Sequence, residues 1–240
     1  MPELPEVETV VRELSDEICR DSISSVEIFR SNPIVQGDLE AFQQQLSGRT
    51  FKHVTRRAKY LIFHLQPSGY MVAHMRMTGK FIVCDPLDVP SKYNRVWFHL
   101  CSGRLMIFDD VRCFGTLEVY EKLSDSKALS KLGIEPFSED LNVNYFKSKV
   151  ASSKREVKSI LLDQQIIAGL GNIYVSEILF RSKISPLRST ETIHNKEWSQ
   201  IIKYTQSVLE EAIENNGTTI SDFRRIDDKT GKFQQFLKVY

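Results

Sequence analysis

The sequence predicts an α+β protein: one helix, then an N-terminal β-sandwich, then a mostly helical C-terminal domain. Three observations predict this fold class. Apolar residues recur at helical spacing at the start of the chain, eight short strand-like runs follow up to about residue 120, and helical patterns dominate from there. Runs of strands followed by runs of helices are typical of α+β folds or of separate domains. We therefore expect a first domain over residues 1–125 and a second over residues 126–240.

The first element is an amphipathic helix from Pro5 to about Arg20, with a proline in its first turn. Turn-like breaks such as Ser102-Gly103 separate many of the strand-like runs after it. The predicted strands are Ser25–Phe29, Thr50–Val54, Tyr60–Leu65, Tyr70–His74, Lys80–Val83, Val96–Cys101, Leu105–Phe108 and Thr116–Tyr120. The predicted helices of the second domain are Val143–Ala151, Lys154–Leu162, Ile173–Arg181 and Lys196–Glu214.

The composition is that of a soluble globular protein, with 41% hydrophobic and 26% charged residues. No apolar run approaches the ~20 residues of a membrane span, and no secretion signal opens the chain, so we expect a cytoplasmic protein. The four cysteines are scattered without a Cys-x-x-Cys pair, which favours reduced thiols over disulfides or a zinc site. The net charge of +1 requires any nucleic-acid site to be a local basic patch.

The N-terminus offers a nucleophile. Removal of Met1 would leave Pro2 as a secondary amine, which can attack a sugar aldehyde carbon and form an imine. A terminal amine titrates near pH ~8, so part of it is unprotonated in the cell. Glu3 is one residue away and could pass protons. The alternative is that Met-Pro is only a common protective start.

Three further segments favour contact with nucleic acid. Arg56-Arg57-Ala58-Lys59 is a plausible phosphate clamp, or else a solvated strand end. Two glycine-ended segments, 74–79 and 109–115, carry Met and Phe side chains that could wedge into a stacked duplex and Arg side chains that could fill the space of an extruded base. Ordinary core packing explains these Met and Phe residues equally well, and periodicity does not separate the two interpretations.

A glycine-containing turn at residues 163–172 is followed by a predicted helix start at Asn172. Free amides at a helix start make a phosphate seat, although Asn172 could also be a plain helix cap in a hairpin. A polar stretch from Asn216 to Gln234 follows the last long helix. Loops of this length without regular structure are often functional.

Taken in order, these segments resemble the bacterial formamidopyrimidine-DNA glycosylase family over essentially the whole chain. The resemblance is carried by Pro-Glu-Leu-Pro-Glu-Val-Glu-Thr at 2–9, Gly-Leu-Gly-Asn-Ile-Tyr at 169–174, Asn-Gly-Thr-Thr at 216–219 and Phe-Gln at 233–234. The second motif marks the centre of a helix–two-turn–helix element. Leu4 matches this branch, whereas the related endonuclease VIII branch typically has Gly there.

The resemblance implies excision of 8-oxoguanine and formamidopyrimidines, followed by strand cleavage at the abasic site. Pro2 would be the nucleophile once Met1 is removed, and Glu3 the general acid/base. Lys59 would contact the lesion nucleotide and act as an acid in the elimination, and Glu6 would support the site. The implied partner is double-stranded DNA with oxidised bases or abasic sites, bound by a monomer without a cofactor for the chemistry.

The resemblance also implies two sets of binding residues. Those expected to contact DNA are Met77, Tyr93, Arg112, Phe114, Lys154, Lys158 and Asn172. Those expected in a lesion-reading loop are Thr218, Thr219, Ile220, Phe223 and Arg224.

The chain departs from the family pattern at three places. Tyr93-Asn94-Arg95 replaces a common His-x-His, and Cys113 replaces a common Arg or Lys. The family usually continues into a Cys₄ zinc finger, so a structural zinc is expected only if the natural chain continues past Tyr240. No metal ligand is predicted within these 240 residues.

Two other functions are considered. One is a glycosylase of the same class that prefers oxidised pyrimidines, against which Leu4 and the long loop at 217–232 argue. The other is a non-catalytic damaged-DNA-binding protein of the same fold, which would need no terminal proline. Coincidental matches in an unrelated globular protein are disfavoured by five motifs in order.

Overall fold

The computed structural model describes residues 1–29, 34–89, 92–150, 153–218 and 232–240. Among them it contains the following strands: β1 (Ile23–Ile28), β2 (Thr50–Arg57), β3 (Tyr60–Gln66), β4 (Tyr70–His74), β5 (Gly79–Cys84), β6 (Asn94–Leu100), β7 (Leu105–Asp110) and β8 (Thr116–Tyr120). The helices are α1 (Leu4–Ile18), α2 (Leu39–Leu46), α3 (Lys127–Ser130), α4 (Val143–Val150), α5 (Val157–Leu161), α6 (Asn172–Ser182) and α7 (Asn195–Glu214).

The strands form two four-stranded sheets, ordered β1-β6-β7-β5 and β2-β3-β4-β8, with every neighbouring pair antiparallel. Alternate side chains of both sheets meet in a shared core. Phe81 joins the two sheets there, since its ring centroid lies 5.2 Å from that of Phe63 and 5.1 Å from that of Phe108. The predicted α+β class with an N-terminal β-sandwich is therefore confirmed.

Helix α1 packs into both halves of the molecule. Val7, Val10 and Leu14 are buried in the sandwich core, whereas Leu4 belongs to the core of the helical half. The helix accordingly contacts both β2 and α7. The backbone amide of Leu4 also donates to the carbonyl oxygen of Gly169 at 3.0 Å. The first turn of α1 is thus held at the junction of the two cores.

The second core is built from α4, α5, α6 and α7. Trp198 is buried and stacks on Phe146, with ring centroids 4.7 Å apart. Residues 162–171 connect α5 to α6 and carry the glycine-containing turn. None of the helices in the described ranges is both long and apolar enough to cross a membrane. The domain boundary at residues 125/126 stays a prediction.

The prediction missed α2 entirely. Its start is capped by Asp38, whose side chain accepts a hydrogen bond from the Ala41 amide at 2.7 Å, and Phe42 and Leu46 bury one face. Only two apolar positions face the core, so the periodic signal is short. The four-residue helix α3 was also not predicted.

The predicted helix Lys154–Leu162 is shorter in the structure, where α5 begins at Val157. Residues before it are extended because Glu156 forms an antiparallel bridge with Ser189, and the amide of Thr190 donates to the Arg155 carbonyl oxygen. Tertiary pairing here overrides local helical preference.

Candidate active site

The carboxylate of Glu3 is buried against the start of α6. Its Oε2 accepts a hydrogen bond from the Gly171 amide at 2.6 Å, and its Oε1 accepts one from the Ile173 amide at 3.0 Å. Helix starts have unpaired amides and a partial positive charge, which favour a carboxylate. The predicted phosphate seat at this helix start is therefore occupied, at its innermost amides, by the chain's own Glu3.

Gly171 must be glycine for this arrangement. A Cβ atom there would stand 2.4 Å from both Cδ and Oε1 of Glu3, far inside van der Waals contact. Gly171 is the N-cap of α6, so Asn172 is the first helical residue rather than the cap. Asn172 is exposed, and its side chain is available to a ligand at the helix start.

Lys59 approaches the same turn from the sandwich. Its Nζ is buried and donates a hydrogen bond to the Leu170 carbonyl oxygen at 2.7 Å. The preceding residue, Ala58, has a φ of 53°, a left-handed conformation at the tight connection between β2 and β3. Lys59 and Glu3, which lie on different elements, are thereby brought to the two sides of residues 170–171.

Burial dominates the electrostatics of these groups. It raises the pKa of Glu3 to about 7, with the nearby Glu6 also raising it, and the Lys59 ammonium and the α6 amides opposing the rise. Burial likewise lowers the pKa of Lys59, against the pull of Glu3 and Glu6. A carboxyl group that titrates near neutral pH can both give and take a proton, as general acid/base catalysis requires.

Glu6 is a second buried carboxyl and acts as a hub. Its Oε2 accepts a hydrogen bond from the Glu3 amide at 2.8 Å, while its Oε1 accepts from the Thr218 amide at 2.8 Å and from the Tyr174 hydroxyl. The Tyr174 hydroxyl also lies 3.1 Å from Oγ1 of Thr218. Gly217 has a φ of +72°, and a Cβ atom there would stand 2.9 Å from Oε1 of Glu6. Glu6 therefore joins the starts of α1 and of the segment after α7, and its supporting role stays a prediction.

Pro2 is buried directly before α1, next to Glu3 in the chain. Glu3 is the N-cap of α1, and its reciprocal bonds with Glu6 form a capping box that fixes the start of the helix. Met1, which precedes Pro2, is exposed. The predicted nucleophile, Pro2, is therefore the residue immediately before the fixed N-cap of α1.

Two loops carry the side chains predicted to fill the gap in a duplex, and Asp110 joins them. This fully buried carboxylate accepts hydrogen bonds from the Arg112 amide at 3.1 Å, from the Gly115 amide at 2.8 Å and from the Thr78 hydroxyl. The loop of residues 75–79 is thereby fixed to the loop of residues 111–115. Asp110 was not among the predicted site residues, although a carboxylate at a buried strand end before a glycine-ended turn is a signal for such a loop anchor.

The gap-filling candidates on these loops are exposed. Met77 is 38% exposed and Phe114 is 49% exposed, so neither is ordinary core packing. The Arg112 guanidinium lies 4.7 Å from the Phe114 ring centroid, a cation–π contact. Cys113 lies between Arg112 and Phe114 in the chain. It has a φ of 55°, and its side chain is buried rather than exposed with theirs. The structure places three of the predicted residues on one exposed edge.

The remaining predicted DNA contacts lie at separate positions. Tyr93 is 36% exposed, and the Arg95 guanidinium lies 5.8 Å from its ring centroid. Arg95 also donates to the Asp110 carbonyl oxygen at 2.7 Å. Lys154 is exposed before α5, and Lys158 is half-buried on it.

The structure agrees with neither sequence interpretation of Arg56 and Arg57, because these side chains are neither free for phosphate nor simply solvated. Glu135 accepts hydrogen bonds from Arg56 at 2.9 Å, from Arg57 at 2.8 Å and from the Ala58 amide at 2.6 Å. Arg56 also pairs with Glu8 at 3.1 Å. These two arginines join β2 to the segment that leads into the helical half.

Most of the predicted lesion-reading loop lies outside the described residues. Thr218 is described and is buried at the Glu6 hub. Thr219, Ile220, Phe223 and Arg224 all fall between the described ranges, within residues 219–231.

Within the described ranges, no group of three or more His, Cys, Asp or Glu side chains could hold a metal ion. The four cysteines are free thiols. A structural zinc, expected only if the natural chain continues past Tyr240, stays a prediction.

The chain folds into a β-sandwich that is preceded by a helix and joined to a helical half. Buried Glu3 and Lys59 meet at the turn before α6. The fold and these two residues define a class of two-part protein whose site lies at the junction of the two parts. Two family models match: the formamidopyrimidine-DNA glycosylase N-terminal domain at residues 1–117 and the formamidopyrimidine-DNA glycosylase H2TH domain at residues 132–224. The chain belongs to the formamidopyrimidine-DNA glycosylase family.

Named relatives agree over the full chain. The formamidopyrimidine-DNA glycosylase of Streptococcus pneumoniae is 40% identical over 242 residues, covering 100% of this chain and 88% of the relative. That of Mycoplasma genitalium is 38% identical over 244 residues, covering 100% and 85%.

Solved structures give the same result. A Lactococcus lactis Fpg mutant in complex with Fapy-dG-containing DNA superposes with a TM-score of 0.91 at 34% identity, covering 98% of this chain and 87% of that one. The complex of Lactococcus lactis Fpg with DNA containing an abasic site has a TM-score of 0.90 at 34% identity, covering 99% and 87%.

Proposed function

We propose that this chain is a bifunctional DNA glycosylase and abasic-site lyase of base-excision repair, which removes oxidised purines from double-stranded DNA. The observation that carries the proposal is the buried Glu3 carboxylate, which follows Pro2 in the chain and lies across the Leu170–Gly171 peptide from Lys59. Membership of the family and the likeness to glycosylase complexes with Fapy-dG and abasic-site DNA support it.

The proposed chemistry begins at Pro2. With Met1 removed, its amine attacks C1′ of the damaged nucleotide, the bond to the base breaks, and the sugar ring opens as an imine forms. Glu3, whose pKa is raised to about 7 by burial, supplies a proton to the ring oxygen and can later take one back. The base leaves with the electron pair of the broken bond and takes up a proton, which balances the proton that the Pro2 nitrogen loses as the linkage to C1′ forms.

Strand cleavage follows from the imine. The imine makes the neighbouring C2′ proton acidic, so a base removes it and the 3′ phosphate leaves with the electron pair of its C–O bond. Lys59, whose pKa is lowered by burial, is the proposed acid near that phosphate. Hydrolysis of the imine then releases the enzyme. The steps transfer protons and electron pairs only, so the chemistry calls for no redox cofactor.

Extrusion of the nucleotide into this site costs a few kcal/mol of stacking and pairing. We propose that Met77, Arg112 and Phe114 offset this cost by occupying the vacated space, because they are exposed together on loops that Asp110 holds rigid. Exposed Lys154 and Asn172, with Lys158 and Tyr93, are the proposed phosphate contacts. The loop that begins at Thr218 is the proposed reader of the lesion.

The test is borohydride trapping on a duplex with 8-oxoguanine opposite cytosine, using protein whose N-terminus is confirmed by mass. We expect a covalent protein–DNA band that is lost or greatly weakened in Pro2→Gly. The matched control is Pro86→Gly, an exposed loop proline that should trap like the parent.

A trapped band of equal strength from Pro2→Gly would contradict the nucleophile assignment. Tight binding of damaged duplex by the parent protein, with no trapping on either lesion or abasic-site DNA, would favour the non-catalytic damaged-DNA-binding alternative.

A further inference from the structure

Gln164 lies in the turn between α5 and α6, and its side chain is fully engaged with that turn. Its Oε1 accepts a hydrogen bond from the Gly169 amide at 2.9 Å. Its Nε2 donates to the Leu162 carbonyl oxygen at 2.9 Å and to the Leu170 carbonyl oxygen at 2.8 Å. One amide side chain therefore pairs with three backbone groups of the residues that connect α5 to α6.

The base of this side chain is fixed as well. The backbone carbonyl oxygen of Gln164 accepts a hydrogen bond from the Gly133 amide at 2.8 Å. Gly133 is in turn in close contact with the turn, since a Cβ atom there would stand 2.4 Å from the Ile166 carbonyl oxygen. The backbone that carries the Gln164 side chain is therefore itself held in place.

The carbonyl that Gln164 holds is the one that Lys59 binds. Nζ of Lys59 donates to the Leu170 oxygen at 2.7 Å, and the amide on the other side of the same peptide bond, that of Gly171, donates to Oε2 of Glu3 at 2.6 Å. A peptide group is planar and rigid. The Leu170–Gly171 peptide is therefore a fixed spacer with Lys59 at its oxygen end and Glu3 at its nitrogen end.

We propose that Gln164 is a positioning residue for base excision: by fixing the Leu170–Gly171 peptide, it sets the separation and orientation of Lys59 and Glu3. This inference rests on the proposed function. Gln164 does not touch the reacting atoms and acts through the peptide alone. Catalytic groups must be held within about 0.5 Å of their productive geometry, and a supporting amide with three bonds provides that restraint.

The experiment compares Gln164→Leu and Gln164→Glu with the parent protein. Leucine removes all three bonds, whereas glutamate keeps the size and the bond from the Gly169 amide but cannot donate to Leu170 when ionised. The matched control is Gln43→Leu, which removes a similar amide-to-carbonyl bond, to Val26 at 2.8 Å, within the sandwich. If Gln164→Leu fails to fold, Gln164→Glu still tests the inference.

Two quantities are measured. The first is the single-turnover rate of 8-oxoguanine excision across pH, alongside affinity for a duplex with an uncleavable abasic-site analogue. The second is the titration of Glu3, by NMR of protein with ¹³C-labelled glutamate side chains, which requires no activity.

We expect both Gln164 variants to excise about 10-fold to 100-fold more slowly at unchanged DNA affinity, because small displacements of catalytic groups are costly. Water that enters beside the loosened peptide would ease the burial of Glu3. In Gln164→Leu its titration, and the fall in excision at high pH, should therefore move to lower pH. In Gln164→Glu the added negative charge opposes that shift, so this variant is judged by its excision rate. Gln43→Leu should match the parent in rate and in pH profile.

Unchanged rate and unchanged Glu3 titration in the variants would overturn the inference. A second result would also overturn the inference: a slower rate that is fully explained by a smaller amount of folded protein, with an unchanged pH profile. Gln164 would then have a structural role only. A parent protein that excises nothing would instead refute the proposed function, and the Glu3 titration would then decide the positioning role by itself.

Discussion

The Glu6 carboxylate and the Thr218 amide are joined by a 2.8 Å hydrogen bond, although they lie 212 positions apart in the chain. The same carboxylate holds the Glu3 amide at 2.8 Å through its other oxygen. The start of the segment proposed to read the lesion is therefore tied directly to the first turn of α1, where the proposed chemistry takes place.

Tyr174→Phe tests this connection. The Tyr174 hydroxyl donates to Glu6 and lies beside the Thr218 hydroxyl, all of it buried. Its loss should lower the free energy of unfolding by about 2 kcal/mol, typical of a hydrogen bond to a charged group. Excision of 8-oxoguanine should slow more than cleavage of a preformed abasic site, because only excision uses the lesion-reading segment.

The readouts are denaturant unfolding and the ratio of the two rates. Tyr204→Phe is the control, a half-buried tyrosine of α7 that should change neither. If the ratio of the excision rate to the abasic-site cleavage rate is unaltered in Tyr174→Phe, the contacts of Glu6 play no part in lesion recognition.

Gly171→Ala should abolish excision without unfolding the protein. The new Cβ would stand 2.4 Å from the Glu3 carboxylate and displace it from the α6 amides. We expect a loss of about 100-fold or more in single-turnover excision, as for other misplaced catalytic groups.

Gly37→Ala is the matched control. Gly37 has a φ of +96°, and no atom lies within 4 Å of the position that a Cβ would take, so alanine should cost about 1–2 kcal/mol of stability and leave excision unchanged. Comparable activity in the two variants would show that the Glu3 carboxylate need not occupy this seat.

Stability should depend on pH through Glu3. Its pKa is raised by burial to about 7 from an ordinary value of 4.5, so between these values the folded protein holds a proton that the unfolded chain releases. This contribution to stability is complete below pH 4.5 and is lost as pH rises through 7. Relative to the parent, Glu3→Gln should therefore gain up to about 3 kcal/mol across this window.

Urea unfolding at intervals between pH 4 and pH 8 measures this difference. A stability difference between Glu3→Gln and parent that stays constant throughout would show that the Glu3 carboxyl titrates normally in the folded state.

Glu135→Gln should destabilise the protein by about 2–3 kcal/mol, because it leaves Arg56, Arg57 and the Ala58 amide with a weaker, neutral partner. Glu121→Gln is the control. Its ion pair with Arg49, at 3.1 Å, is largely exposed on the carboxylate side and should contribute less than about 1 kcal/mol. Equal effects on the free energy of unfolding would argue against a special role for Glu135.

Much of the fold could be predicted because local patterns and local structure agree. The strands at Tyr70–His74 and Thr116–Tyr120 have the predicted bounds, and a glycine immediately precedes each of them as a turn signal. Helix α2 was not predicted, because only Phe42 and Leu46 mark its buried face.

The site was predictable as a set of residue types but not as a geometry. Lys59 binds a carbonyl 111 positions away, and no local pattern encodes that contact. Nor does the sequence show that Arg56 and Arg57 are both paired with Glu135, which is why they resemble a phosphate clamp. Gln164 gave no signal, because an amide that bonds only to the backbone of its own turn has no distinctive neighbours in the sequence.

The division of α1 between two cores has a consequence for heat inactivation. Leu4 is anchored among the helices and Val7 within the sandwich, so the turn between them keeps its place only while both cores are intact. Whichever core melts first releases Pro2 and Glu3 from their surroundings. We therefore expect the weaker half to set the working lifetime of the protein at high temperature, and stabilising substitutions to extend that lifetime most when they are made there.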